Sequence, residues 1–149
     1  MLRQFLVGSA VSVCTIVIHA LVTVAVVRVA QVAGTKHTSR PWLHLIVVMI
    51  ATVSVLMVAH TCEVMAWSLA YATVDAAPAG ADLVYFAFVN YTTLGYGDVI
   101  PVAGWRLLGP MTAMNGVLLF GWSTAVIFEV LRRAMNQNAP PVASLRTML

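Results

Sequence analysis

The sequence predicts an all-α membrane protein, with three spanning helices per chain and a short re-entrant helix and loop between the second and third. Three observations carry this expectation. Of 149 residues, 61% are hydrophobic and 9% charged, and the mean hydropathy is +0.93. A soluble domain carries charge at about a quarter of its positions, so this chain lacks the polar surface to coat a globule, and lipid is its expected solvent. Three stretches are long enough to cross a bilayer, which takes ~20 apolar residues. Finally, one loop at 91–101, "YTTLGYGDVIP", gathers threonines, glycines, tyrosines and an aspartate amid hydrocarbon.

The first stretch covers about residues 5–30. Arg3 ahead of it and Ala20 within it look like the ends of a signal peptide, but the apolar run continues to Val27. That is longer than a signal core, so a retained helix is expected. Gly8, Ser12, Thr15, His19 and Thr23 fall on one helical face. Small and polar residues in a spanning helix mark contacts with another helix, and this reading is preferred to proton sensing by His19.

The second stretch covers about 42–71, with His60, Glu63 and Trp67 on one face. A carboxylate costs ~2.5–3.5 kcal/mol or more at mid-membrane. Glu63 therefore needs a partner, a proton or an interface position. His60 and Glu63 alone are too few ligands for zinc. Helix rise puts His19 at another depth, which leaves Arg106 and the back of the loop as the expected neighbours of Glu63.

Residues 75–105 read differently. A turn-like "DAAPAGAD" precedes "LVYFAFVNYTT", which is too short to cross and is expected to hold a helix at about 83–92. Irregular backbone at membrane depth is tolerated only where protein surrounds it or water lines it. Gly95 and Gly97 permit torsions closed to other residues, so that successive carbonyls can point one way. Several such strands in a ring would replace an ion's hydration shell, with the Thr93 hydroxyl at the inner end. Neutral oxygens suit a hard monovalent cation, and the negative end of the short helix aims at the same path.

The third stretch covers about 107–131. Gly109, Gly116 and Ser123 recur every seventh residue, a small face suited to close packing. The face with Asn115, Leu118, Trp122, Ala125 and Glu129 is then expected to line a cavity. Trp122 would be its apolar gate and Glu129 an acidic ring at its mouth. The rival face of Val117, Phe120 and Thr124 stays open, as does the choice between hinge and packing for Gly116. The tail after Arg133 is expected to be flexible. Cys14 and Cys62, isolated in apolar runs, read as small packing residues.

Basic residues set the orientation. Arg28, Lys36 and Arg40 flank the first loop and Arg132, Arg133 and Arg146 follow the last helix, against Arg3 and Arg106 on the other side. The positive-inside rule places the first loop and C-terminus in the cytoplasm and the N-terminus outside a plasma or inner membrane. The net charge of +3 is not gathered into a basic run, so no nucleic acid is expected.

The loop "TTLGYGD" resembles the selectivity filter of potassium channels, whose usual core is Thr-Val-Gly-Tyr-Gly, with Leu94 in place of valine. The likeness runs from about residue 85 through the third helix. It implies a homotetramer around one pore and K+ held by Thr93, Leu94, Gly95, Tyr96 and Gly97, with Thr92 and Asp98 as support. No cofactor other than K+ is implied. Many such channels brace the filter with an acid four residues before the first filter threonine. Here that residue is Val89, and Glu63 is the expected substitute. The implied division is 1–40 for the added helix and loop, 41–133 for the pore domain and 134–149 for the tail. The first helix carries no arginine ladder, so it does not look like a voltage sensor and the opening stimulus is unassigned. Passive potassium conduction is the expected function. The alternatives are a poorly selective cation channel, if Leu94 loosens the filter, and a non-conducting adaptor or regulatory subunit. No nucleophile–base pair is visible, so an enzyme is not expected.

Overall fold

A computed structural model describes residues 1–33 and 40–137. Lys36, Arg146 and the tail from 138 onward, which entered the orientation and flexibility expectations, lie outside the described residues. The elements are α1 (Leu2–Ala33), α2 (Pro41–Thr73), α3 (Leu83–Tyr91), a 3-10 turn (Ala103–Trp105) and α4 (Leu108–Gln137), with no strand among the described residues. Three helices are long and apolar enough to cross a membrane. The chain is a multi-pass membrane protein. Leu6, Val13, Val17 and Leu21 of α1 and Ile50, Met57, Val58 and Leu69 of α2 are all exposed, a surface that water penalises and lipid accepts.

Each boundary has a local cause. Pro41 opens α2 at a position where its missing N–H costs nothing. Asp82 caps α3, its Oδ1 accepting the Val84 and Tyr85 N–H groups at 3.0 and 3.1 Å. The segment beyond the loop is tied back by Val102 N–H donating to the Ala76 carbonyl at 2.9 Å.

Trp67 and Tyr71 of α2, Phe86 and Tyr91 of α3, and Leu108 and Leu119 of α4 form one buried cluster. The short helix is thereby held between the two long ones. The first helix joins through its polar face. Thr15 and His19 are fully buried, and a Cβ on Gly8 would stand 2.5 Å from the Met111 sulfur. Helix contact is thus the role of that face. At the start of α1, Gln4 Oε1 accepts the Leu107 N–H at 2.9 Å, serving a donor that precedes α4 and has no partner within it. The Arg3 guanidinium lies 4.2 Å from the centre of the Trp105 ring. The N-terminus and the 75–105 segment therefore share one membrane face.

Candidate functional site

The loop after α3 is built from that helix's own end. Thr93 N–H donates to the Asn90 carbonyl at 3.0 Å, and Leu94 N–H donates to the Val89 carbonyl at 2.9 Å. The Thr92 hydroxyl donates to the Phe88 carbonyl at 2.7 Å. These bonds turn the first loop N–H groups inward against the helix. Positive φ then recurs at every second residue, 60° at Thr93, 60° at Gly95 and 78° at Gly97, while Leu94 and Tyr96 between them stay negative. Such alternation gathers N–H groups on one side of the strand and carbonyls on the other. Glycine accepts these torsions freely, whereas a β-branched threonine there costs about 1–3 kcal/mol. Leu94 is 53% exposed and Tyr96 68%, so one side of this strand is bare in a single chain.

At the far end of the loop, the Tyr85 hydroxyl donates to Asp98 Oδ2 at 2.6 Å, and Asp98 Oδ1 accepts the Val99 N–H at 3.0 Å. The first turn of α3 thus holds the loop's exit. The tyrosine hydrogen bond keeps the Asp98 carboxyl below the usual carboxylate range. The same bond pushes Tyr85 up to about 12.

Glu63 sits behind the other end of the short helix. It is fully buried, which removes the interface position that sequence allowed. Its Oε1 lies 2.8 Å from His19 Nδ1, its Oε2 lies 2.9 Å from His60 Nδ1, and the Tyr91 hydroxyl donates to Oε2. Tyr91 directly precedes Thr92, so Glu63 braces the end of α3 rather than the loop itself. Two expectations are corrected here. The first is depth: His19 reaches Glu63 because α1 and α2 do not end level. Val26, seven residues after His19, and Leu56, seven before Glu63, share a buried cluster, so the end of α1 lies beside the interior of α2. The second is the partner: Arg106 borders a cleft of about 310 Å³ with Asn90, Thr93 and Gly109, and does not serve Glu63.

Helix α4 corrects three more expectations. Asn115 does not line a cavity. Its buried Oδ1 accepts from the Thr15 hydroxyl at 2.9 Å and from Trp67 Nε1 at 3.1 Å, inside the chain. The Trp122 ring stands edge-on to His19 with centroids 5.3 Å apart, which puts it on the α1 side of the helix, still 38% exposed. Glu129 is met by Arg132 at 2.8 and 2.9 Å and by Arg133 at 2.5 Å, so its surroundings are net cationic, not acidic. The rival face lies on the side of α3. Phe120 is edge-on to Tyr91 at 5.4 Å, Val117 is exposed, and Thr124 bonds back to the Phe120 carbonyl at 3.0 Å. Leu118 is exposed as well. Gly116 is a close approach, because a Cβ there would overlap the Tyr91 carbonyl oxygen.

Sequence reasoning missed Tyr85 and Asp82. An aspartate ahead of an apolar run is a helix-start signal, so Asp82 was legible. Tyr85 gives no local signal, since its partner lies thirteen residues away in the chain.

A family model described as "Ion channel" matches residues 43–133, from the start of α2 nearly to the end of α4. No curated protein and no solved structure matches the chain.

Proposed function

The chain belongs to the ion channel family, and from that premise we propose that it is a potassium-selective channel working as a homotetramer. The observation that carries this reading is the alternation of positive φ at Thr93, Gly95 and Gly97 in the loop behind a buried short helix. It favours carbonyls of Thr93, Leu94, Gly95 and Tyr96 aligned as ligands, with the Thr93 hydroxyl at the inner end and Gly97 completing the turn toward Asp98. One strand offers only one side of an oxygen cage. Copies of the chain must supply the others, and the bare side of the loop is where they would converge. Potassium then moves down its gradient with no covalent chemistry. Below the loop, Val117, Phe120 and Thr124 are the better candidates for the cavity wall, since Asn115 is buried between α1 and α2 and Trp122 lies on the α1 side. The filter end faces outside and the first loop faces the cytoplasm, following the basic residues.

Purified protein reconstituted in liposomes tests this. Reversal potentials with potassium on one side and sodium on the other should follow the potassium gradient, and Thr93→Ala should weaken that discrimination. Equal permeability would favour the poorly selective channel, and absence of flux the non-conducting subunit.

A further inference from the structure

We propose that His19, His60 and Glu63 form a buried binding site for a divalent metal ion of the zinc class. Two imidazoles and a carboxylate are the donor set that such borderline ions take. Sequence alone offered only the pair on α2, one turn apart. Packing of α1 supplies the third ligand, and the ligand atoms lie within 4.8 Å of one another. The Tyr91 hydroxyl, bonded to Glu63 Oε2, stands beside them as a fourth donor, an oxygen.

The outer partners point the same way. Both imidazoles turn Nδ1 toward Glu63, at 2.8 and 2.9 Å. Both turn Nε2 toward a single atom, Ser123 Oγ, at 2.9 Å for His60 and 3.4 Å for His19. A hydroxyl has one proton and two acceptor lone pairs, so Ser123 can donate to only one of these nitrogens. Without a metal, each ring can donate its Nδ1–H to a Glu63 oxygen at these distances. With a metal bound, Ser123 can accept from both rings, each then carrying its proton on Nε2 and offering its Nδ1 lone pair as a ligand. An anchored far nitrogen is the arrangement that orients metal-ligating histidines. The ion would also offset the buried charge of Glu63, which is otherwise costly inside a membrane. Ligands from α1 and α2, with Tyr91 alongside, would make the metal a clip between the added helix and the end of α3. Its effect on current rests on the channel reading; its binding does not.

The test uses the full chain, purified in detergent and titrated with Co2+ and with Zn2+ near neutral pH. The expected result is one ion per chain, a cobalt spectrum of nitrogen and oxygen ligands, and a raised thermal midpoint. His19→Gln and His60→Gln should each weaken zinc binding at least tenfold. Ser123→Ala keeps all three ligands but loses their orientation, and should weaken binding by about 10-fold. His44→Gln, outside the cluster, should leave binding unchanged. A sulfur charge-transfer band would assign the metal to Cys14 or Cys62 and overturn the proposal. So would equal zinc affinity in wild type and His19→Gln, or a wild-type protein that binds no metal and responds only to pH. Should His19→Gln fail to fold, the wild-type cobalt spectrum and Ser123→Ala still decide. Stoichiometric zinc binding in a protein without ion flux would count against the channel reading alone.

Discussion

His19 Nδ1 lies 2.8 Å from Glu63 Oε1, and both side chains are wholly buried. One is on α1, the other on α2, so this contact joins the helix outside the family match to the matched segment. Removing one partner of a buried hydrogen-bonded pair leaves the other short of a bond, at a cost of ~1–3 kcal/mol, while His60 and Tyr91 still meet Glu63. His19→Leu should therefore lower stability by about 1–3 kcal/mol. The double variant His19→Leu/Glu63→Leu should be less destabilised than His19→Leu alone, because no carboxylate remains short of a bond. Denaturant unfolding in detergent measures both. A double variant worse than the single would show that the charge is not the issue.

The Tyr85–Asp98 bond predicts a pH window for the loop's exit. Asp98 is held below its usual range, so its contribution is present above the ordinary carboxylate value of ~4 and is lost as pH falls through the lower folded value. Tyr85 is raised to about 12, so its side of the bond holds below the ordinary phenol value of ~10 and fails as pH rises toward that raised value. Conduction should run down at the acid end in wild type. Tyr85→Phe should move the rundown up toward the ordinary carboxylate value of ~4, and Asp98→Asn should lose the acid dependence. An unaltered acid profile in Asp98→Asn would assign the rundown to another group.

Gly116 predicts a steric result. An added methyl would run into the Tyr91 carbonyl, which is backbone and cannot swing aside. Overpacking of this kind costs ~1–3 kcal/mol, so Gly116→Ala should destabilise the fold or push α4 from α3. Gly121 has open space around it, and Gly121→Ala should be tolerated. Comparable thermal midpoints for the two variants would argue that α4 already stands further from α3.

The face of α4 is open to cysteine scanning. With Trp122 held against His19 and Phe120 below Tyr91, thiol reagents applied from the cytoplasmic side should block Val117→Cys, Phe120→Cys and Thr124→Cys channels. Trp122→Cys and Asn115→Cys should resist. These variants are read in a Cys14→Ala/Cys62→Ala background, because both native cysteines are exposed. The reverse pattern would restore the Trp122 face as the pore wall.

Sequence by itself determined the elements. A run of apolar residues leaves the backbone no way to satisfy its polar groups in lipid except as a helix, so hydropathy alone placed α1 and α2 to within a few residues and α4 short of its end at Gln137. The glycines at 95 and 97 likewise announced a loop with left-handed torsions, because that freedom belongs to the residue itself. The small and polar stripe on α1 announced a helix contact for the same local reason, though not its partner.

Only the tertiary structure decided which side chains meet. Successive residues on a helix turn by about 100°, so a modest rotation moves Asn115 from a cavity wall to a buried acceptor for Thr15 and Trp67. Vertical offset matters as much. Helix lengths do not say whether two helices end level, and the offset between α1 and α2 is what brings His19 to Glu63. Rotation and offset are set by packing across the whole bundle, by contacts such as Gly8 on Met111 and Gly116 on Tyr91, and these join residues that no local stretch of sequence contains.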